Sequence, residues 1–240
     1  MVLMKLMQWL SASLPNRCLM CHQSVSLPSR GLCVVCLNSG LYQQPICQGC
    51  GCTMQLQAKF CGQCMKTLPL SIIAPCSYHQ GLGEWIGLMK YQGQFAALPV
   101  LSQALVNRIL ELESLGMLQL PQVLVPVPLH PNRQRKRGFN QAWLIADAIH
   151  QQLHIPVVAQ GVERILDTKS QAGLTGKQRR QNLSAAFTLT DDFLYQRIAL
   201  IDDVVTTGTT VKEIAIMFEQ RHIHVQVWCL ARAEAPGLLD

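Results

Sequence analysis

The sequence has little charge, few aromatic residues and no long apolar run. Charged residues make up 14% and aromatic residues 6% of the 240 positions, whereas 49% are hydrophobic. Because so hydrophobic a composition can bury a core, extended disorder is not expected. No apolar run reaches the roughly 18 residues that a membrane-spanning helix needs, so we predict no membrane span.

A secretion signal and two common nucleotide-binding loops are also missing. Residues 2–14 are apolar, but this stretch is short, includes Lys5 and lacks a small-residue cleavage site, so we interpret it as an amphipathic helix. We therefore expect a cytoplasmic protein. Neither the G-x-x-x-x-G-K-[ST] loop nor the G-x-G-x-x-G fingerprint occurs, which excludes these two ways of holding a nucleotide phosphate.

Positive charge is concentrated in the middle of the chain, within a formal net charge of +6. Between residues 130 and 180, nine Lys and Arg stand against three acids, and from residue 191 onward eight acids stand against four bases. A basic segment beside an acidic one predicts a polyanion site near carboxylates that could hold sugar hydroxyls or a metal. A solvated basic face explains the same pattern without a ligand, and both interpretations stay open.

Cysteine is abundant, and its spacing is regular. Eight of the eleven cysteines form C-x-x-C pairs, at Cys18/Cys21, Cys33/Cys36, Cys47/Cys50 and Cys61/Cys64. Two thiolates separated by two residues can face one ion on a tight turn, and two such turns complete a tetrahedral site. The pattern therefore predicts two zinc ions. In a segment this small, metal binding would supply much of the folding free energy.

Several alternatives accompany the zinc prediction. We expect the pairs to combine in sequence order, residues 18–36 on one ion and residues 47–64 on the other, although interleaved pairing gives the same ligand count. Disulfides are the competing use of the thiols, but no export signal supports them. Cys18 to His22 also matches the C-x-x-C-H attachment pattern of c-type haem. Cys52, Cys76 and Cys229 fit neither scheme, and we interpret them as core or spare thiols.

The rest of the chain has the pattern of an α/β fold. Apolar segments at residues 71–78, 123–128, 162–166, 197–201 and 225–230 predict strands, and helical periodicity lies between them. Near-continuous apolar strands that alternate with helices indicate a parallel sheet covered on both faces. We predict a double zinc ribbon at residues 15–68 and a larger parallel-sheet domain at residues 70–235. The polar stretch 167–181 is predicted to be a mobile loop or short helix.

The most informative segment is residues 198–210. An apolar strand ends at two carboxylates, Asp202 and Asp203, where open α/β sheets bind ligands. The following turn has four hydroxyls around one glycine and enters a helix, so its N–H groups and hydroxyls can hold a phosphate. The alternative is a helix-capping cluster without a ligand. Paired acids before a phosphate loop suit a ribose 5-phosphate.

Residues 202–210 resemble the signature of type I phosphoribosyltransferases that binds 5-phosphoribosyl 1-pyrophosphate (PRPP). Residues 15–232 as a whole resemble the ComF family, in which a double zinc ribbon precedes a phosphoribosyltransferase-like domain. Further stretches carry this resemblance, at Tyr78, residues 88–91, residues 125–129, residues 137–141, and Thr168, Gln171, Leu174, Arg179, Asn182 and Phe187.

The resemblance implies site roles. Asp202 and Asp203 would hold the ribose hydroxyls, directly or through Mg²⁺, and together with Arg179 would be catalytic. The loop predicted after residues 123–128 would meet the pyrophosphate, with Arg133, Arg135 and Arg137 as candidate contacts, because a guanidinium bonds two phosphate oxygens at once. Of these, Arg137 matches the family motif, and Arg133 and Arg135 are weaker candidates. The loop with Lys169, Lys177, Arg179 and Arg180 would close over the site. The 5-phosphate would be bound by Thr206, Thr207, Gly208, Thr209 and Thr210.

Two function classes follow. The first is a phosphoribosyltransferase that joins a base-like acceptor to PRPP or runs the reverse reaction. The second is a non-catalytic, PRPP-responsive module that binds single-stranded DNA or other DNA-uptake proteins, because the ComF family is associated with natural competence. Tyr42, Phe60 and Trp143 could stack on bases, although core packing explains them equally.

Overall fold

The computed structural model describes residues 16–26, 29–92, 95–166, 186–190 and 193–233. The helix predicted for residues 2–14 and the whole predicted loop at 167–181, with Lys169, Lys177, Arg179 and Arg180, lie outside the described residues. So do four residues of the ComF resemblance, namely Thr168, Gln171, Leu174 and Asn182.

The described strands form a parallel sheet with a separate antiparallel pair. The strands are β1 (Ser71–Ile73), β2 (Cys76–Ser77), β3 (Val123–Pro126), β4 (Val162–Arg164), β5 (Phe187–Leu189), β6 (Arg197–Val205) and β7 (His224–Arg232). The main sheet has the order β1-β7-β6-β3, and β2 continues the β1 edge beside β7. Every pair in it is parallel, whereas β4 and β5 pair antiparallel. The predicted α/β fold is confirmed.

Four of the described helices follow the predicted periodicity, and three lie where no helix was predicted. The described helices are α1 (Val34–Gly40), α2 (Gly62–Met65), α3 (Gly83–Gln92), α4 (Leu98–Ser114), α5 (Pro131–Arg137), α6 (Gln141–Leu153) and α7 (Thr209–Glu219), with a 3₁₀ turn at Phe95–Ala97.

The unpredicted helices are α1, α2 and α5, and the segment of α5, which follows β3, was predicted to be a loop. Pro131 occupies the first turn of α5, where a missing N–H costs nothing. His130 caps this turn by accepting a hydrogen bond from the backbone N–H of Asn132, and Gly138 ends the helix at φ +81°. A second difference concerns β6, which runs to Val205. The two carboxylates therefore lie within the strand, not after it.

A separate apolar core covers each face of the sheet, as the continuous apolar strands predicted. Along β6, Ala199 and Ile201 face the first core, with residues of α3, α4 and α6. Ile198 and Leu200 face the second core, with residues of α7. Because both faces of β6 are covered, residues 198–201 are all apolar. Asp202 and Asp203 follow them, at the carboxyl edge of the sheet.

The long apolar helix lies in the first core. Among the described residues, Phe95–Ser114 is the one segment whose length and mean hydropathy, 1.3, would allow it to cross a membrane. Leu101, Leu105, Ile109 and Leu112 follow helical spacing and are almost completely buried. This burial is typical of a core helix. The domain boundaries at 15–68 and 70–235 stay a prediction, since residues of the cysteine-rich region join the same core.

Candidate functional site

A cleft of about 240 Å³ opens at the carboxyl edge of the sheet. Four segments that are distant in sequence form its walls: the end of β2, the α5–α6 corner, strand β4 and the end of β6. The nine residues predicted to bind PRPP are brought together here, namely Arg133, Arg137, Asp202, Asp203, Thr206, Thr207, Gly208, Thr209 and Thr210. Asn140 and Gln141, which belong to the family resemblance, also line the cleft.

The two carboxylates of β6 are oriented by backbone N–H groups. Asp202 is partly exposed, whereas Asp203 is only 5% exposed. Oδ1 of Asp202 accepts a hydrogen bond of 2.9 Å from the N–H of Asp203. Oδ1 of Asp203 accepts one of 2.8 Å from the N–H of Val204. Both residues line the cleft, so Asp203 belongs to the site although it is almost completely buried.

The threonine-rich turn presents the start of α7 to the cleft. Gly208 is the N-cap of this helix at φ +69°, and no side chain caps the helix there. The first N–H groups of a helix have no intrahelical acceptor and carry a partial positive charge, so they form an anion site. The hydroxyls of Thr207 and Thr209 are 2.8 Å apart. The turn has the geometry that the phosphate-loop prediction requires.

The α5–α6 corner contributes two arginines to the cleft. Arg133 and Arg137 are four residues apart and therefore share one face of α5, and both line the cleft. Nη1 of Arg137 donates to Oε1 of Gln141 at 2.9 Å, and Gln141 is only 3% exposed.

Asn140 joins this corner to the sheet. It caps α6 by accepting from the N–H of Ala142 at 3.0 Å, and its Nδ2 donates to the carbonyl of Val127 at 3.1 Å. Arg135 does not line the cleft, and its Nη2 donates to Oδ1 of Asn132 at 2.6 Å.

Tyr78 and Arg164 also line the cleft, although neither was assigned a role from the sequence. Tyr78 follows β2 and lines the cleft; it was part of the family resemblance without a function. Arg164, in β4, is 7% exposed, and its guanidinium lies 5.5 Å from the centre of the Phe187 ring. An arginine within a predicted strand could have been noticed in the sequence, but its proximity to β6 depends on the tertiary fold. Arg179 lies outside the described residues.

The eight paired cysteines form two clusters in sequence order. Cys18, Cys21, Cys33 and Cys36 form the first, Cys47, Cys50, Cys61 and Cys64 form the second, and the ligand atoms within each lie within 4.8 Å of one another. The Sγ atoms of Cys21 and Cys33 are 3.8 Å apart, and those of Cys50 and Cys61 are 3.7 Å apart.

These distances suit a metal and not a disulfide. Four sulfurs at about 2.3 Å from a tetrahedral zinc are about 3.8 Å from one another, whereas disulfide sulfurs are about 2.05 Å apart. The clusters could therefore bind two zinc ions, and the interleaved arrangement does not occur. Cys52, Cys76 and Cys229 belong to neither cluster.

Backbone N–H groups favour the thiolate form of Cys18 in the first cluster and of Cys47 and Cys61 in the second, where they lower the pKa of each thiol. Burial opposes ionisation of Cys18, but the backbone N–H groups of Cys21 and Cys33 outweigh it and lower the pKa of Cys18 to about 6. The backbone N–H of Cys64 has the largest effect on Cys61 and lowers the pKa of that thiol to about 6. Hydrogen bonds with Cys21 and Cys33 raise the pKa of Cys36 to about 12, and burial raises the pKa of Cys64. Because the thiolate is the form that binds metal, zinc binding would release protons from these thiols.

The two clusters repeat one backbone turn, which we call the knuckle. In the first knuckle, the N–H of His22 donates to the carbonyl of Cys18, and the bridge Arg17↔Ser24 closes the turn. In the second, the N–H of Gly51 donates to the carbonyl of Cys47, and the bridge Ile46↔Thr53 closes it. His22 and Gly51 occupy the same place, with φ of +60° and +86°. His22 is therefore a turn residue of a cysteine knuckle, which removes the reason for the haem alternative.

Comparison with known proteins reveals relatives over nearly the whole chain. Competence protein F of Haemophilus influenzae is 36% identical over 223 residues, which cover 90% of this chain and 97% of that protein. DNA utilization protein YhgH of Escherichia coli K12 is 31% identical over 223 residues, covering 92% and 98%. Competence protein ComFC of Streptococcus pneumoniae is 23% identical over 221 residues, covering 85% and 94%. No protein-family model matches the chain.

Proposed function

The chain belongs to the ComF family of competence and DNA utilization proteins, and we propose that its cleft binds PRPP and transfers the phosphoribosyl group to or from a base-like acceptor. One observation carries this proposal. The cleft unites the uncapped N-terminus of α7, the carboxylates of Asp202 and Asp203, and the guanidinium groups of Arg133 and Arg137. PRPP has a matching set of groups, namely a 5-phosphate, vicinal ribose hydroxyls and a pyrophosphate.

Each part of the cleft has a distinct task in this proposal. The N–H groups and hydroxyls at the start of α7 hold the 5-phosphate. The carboxylates of Asp202 and Asp203 accept hydrogen bonds from the ribose hydroxyls. Arg133 and Arg137 bind the pyrophosphate, and they stabilise the charge that develops as the bond from ribose C1 to pyrophosphate breaks and the bond to the acceptor forms. Positioning and electrostatics supply the catalysis, and no covalent enzyme intermediate is required.

Magnesium fits the same carboxylates. Mg²⁺ is usually held by one or two carboxylates together with substrate oxygens and water, and Asp202 and Asp203 supply such a pair beside the ligand. When bound, Mg²⁺ would neutralise charge on the pyrophosphate leaving group.

A non-catalytic role in DNA handling is the second candidate. Relatives are named for competence and for DNA utilization. The face of α5 that points away from the cleft exposes Arg135 and Lys136, and Trp143 on α6 is 43% exposed. Exposed basic side chains and an exposed aromatic ring are both features that suit single-stranded DNA. In this case the cleft would sense PRPP and the outer face would bind DNA or another DNA-uptake protein.

The proposal is tested by titrating PRPP into the zinc-loaded protein by calorimetry, with and without Mg²⁺. The double variant Asp202→Asn/Asp203→Asn should weaken binding at least about 100-fold, because each charge-assisted hydrogen bond contributes about 1.5–3 kcal/mol. We expect only a small change in thermal stability. Asp147→Asn, on α6 outside the cleft, is the matched control. Wild-type protein that fails to bind PRPP under either condition contradicts the proposal.

Turnover separates the two candidates. Release of pyrophosphate only when a base is added supports the transferase. Single-stranded DNA binding with a steep salt dependence, weakened by reversing the charges of Arg135 and Lys136 and accompanied by no turnover, supports the binding module.

A further inference from the structure

Arg232, the last residue of β7, forms side-chain hydrogen bonds with the knuckle of the second cysteine cluster. Its Nη1 donates to the carbonyl of Gln48 at 3.1 Å and, at a longer 3.5 Å, to the carbonyl of Cys47. Its Nη2 donates to the carbonyl of Gly49. The residue is only 7% exposed. One buried guanidinium therefore donates hydrogen bonds to three consecutive carbonyls, and all three belong to the turn that contains two cysteines of the cluster.

The charge of Arg232 needs a counter-charge. An arginine stays protonated in proteins, and a buried charge is costly unless it is compensated. Among the residues that the structure describes, no carboxylate forms an ion pair with Arg232. Four thiolates around one Zn²⁺ carry a net charge of about −2. The zinc-loaded second cluster is thus an anionic centre next to the carbonyls that Arg232 holds.

The backbone of the same arginine supports the cleft. Its Cα pairs with that of Val205, the residue before the threonine-rich turn, and the N–H of Ala233 donates to the carbonyl of Val205 at 2.9 Å. The carbonyl of Arg232 accepts a hydrogen bond of 2.7 Å from the N–H of Tyr78, which lines the cleft. One residue therefore contacts the second knuckle with its side chain and two walls of the cleft with its backbone.

Comparison of the two knuckles shows that the side chain of Arg232 occupies the space beside the second knuckle. His22 tolerates a positive φ in the first knuckle, so the backbone conformation alone does not require Gly51 in the second. A Cβ on Gly51 would lie 2.9 Å from Nε and 3.2 Å from Cδ of Arg232. Glycine leaves room for the guanidinium, whereas His22 is exposed.

We propose that Arg232 is a positioning residue that couples the zinc-loaded second cluster to the anion-binding turn of the cleft, so that metal occupancy of this cluster orders the turn. The coupling is reciprocal, because ordering of either end through Arg232 favours order at the other. Any effect of this coupling on PRPP affinity rests on the proposed function, whereas its effects on the rate of zinc release and on the order of the turn do not.

The first test measures zinc release from the full-length, zinc-loaded chain into an excess of chelator. Arg232→Gln should release one of the two ions about 10-fold faster or more, the usual effect of losing a partner that orients a ligand, and leave the other unchanged. Arg232→Lys, which keeps the charge, should restore much of the rate. Arg221→Gln is the control, because its guanidinium donates to the carbonyl of Thr190, which belongs to neither cluster. Repeating the measurement in Cys33→Ser, where only the second cluster is complete, assigns the faster ion.

The second test measures the turn directly by amide hydrogen exchange of residues 205–210. Arg232→Gln should speed exchange there about 10-fold, as should chelation of the second ion alone. Cobalt-loaded protein adds a spectroscopic check, because the thiolate-to-cobalt absorption of the second cluster should shift in Arg232→Gln and recover in Arg232→Lys. If Arg232→Gln does not fold, Gly51→Ala, which crowds the guanidinium, replaces it.

The outcomes are distinct. Unchanged zinc release, or faster release without faster exchange at residues 205–210, overturns the coupling. An equal acceleration of both ions indicates general destabilisation and also overturns it. Failure of the wild type to bind PRPP contradicts the proposed function alone, since zinc release and exchange are measured without ligand.

Discussion

The two cysteine clusters have the same ligand spacing and the same knuckle, but they are attached to the protein differently. The first is attached through apolar side chains. Cys18, Val25 and Leu32 are buried in the first core with residues of α3 and α4. Gly31 packs so closely on the turn before α4 that a Cβ would lie 2.5 Å from the carbonyl oxygen of Ala96.

The second cluster is attached mainly through polar groups. The carbonyl of Gln48 accepts from the N–H of Ile72 at 2.9 Å, so the knuckle extends the β1 edge. The hydroxyl of Ser71 bonds to the side chain of Gln48, and Arg232 holds three carbonyls. The comparison teaches that ligand spacing determines the local turn, whereas the residues around the turn determine what the cluster supports. The first supports the core, and the second supports the sheet edge beside the cleft.

The largest expected effect comes from removing the third ligand of each cluster. Cys33→Ser and Cys61→Ser should each reduce bound zinc from two ions to one and remove several of the about 10–16 kcal/mol by which zinc stabilises such small modules. Global stability should fall more in Cys33→Ser, because only the first cluster shares the core. Residues 71–73 and 205–210 should lose more exchange protection than the rest of the sheet in Cys61→Ser, whereas Cys33→Ser should reduce protection throughout the sheet. Zinc assays, urea unfolding and hydrogen exchange measure these effects, and identical profiles for the two variants would break the comparison.

An intermediate effect is expected where the first cluster meets the core. Gly31→Ala should cost about 2–4 kcal/mol, because the methyl group meets backbone atoms of Ala96 at a positive φ. Gly116→Ala is the matched control, since Gly116 has φ +68° but nothing within 4 Å of an added Cβ; it should cost only about 1–2 kcal/mol. Urea unfolding at constant zinc measures both. Equal losses would show that backbone strain, and not packing, sets the cost.

The smallest effect is expected from exchanging the equivalent knuckle residues. Gly51→Ala should cost about 1–2 kcal/mol and speed zinc release from the second cluster, because it crowds Arg232. His22→Gly should change stability by less than about 1 kcal/mol, because relief of the positive φ is offset by greater freedom of the unfolded chain. A loss in His22→Gly as large as that in Gly51→Ala would show that the two knuckles are equivalent after all.

Much of the site could be read from the sequence, because its key elements are local. The acids, the threonine-rich turn and helix α7 are contiguous, and so are the four ligand pairs. Arg164 could not be assigned a role, because it reaches the cleft through β4, outside the main sheet. Arg135 was a candidate, but its position on α5 directs it away from Arg133 and Arg137, and the helix itself was predicted to be a loop. Residues that act across the fold leave no periodic signal in the chain.

By itself, the sequence determined the α/β class, the two clusters and the threonine-rich turn at a helix start, because cysteine spacing, apolar runs and a glycine at a helix start act over a few residues. The tertiary structure alone decided which cluster supports the cleft. Arg232 and Gln48 are 184 residues apart, and only the parallel pairing of β1, β7 and β6 brings the second knuckle, the guanidinium and the turn after Val205 to one edge of the sheet. A buried charge must find its partners in three dimensions, whatever their distance along the chain.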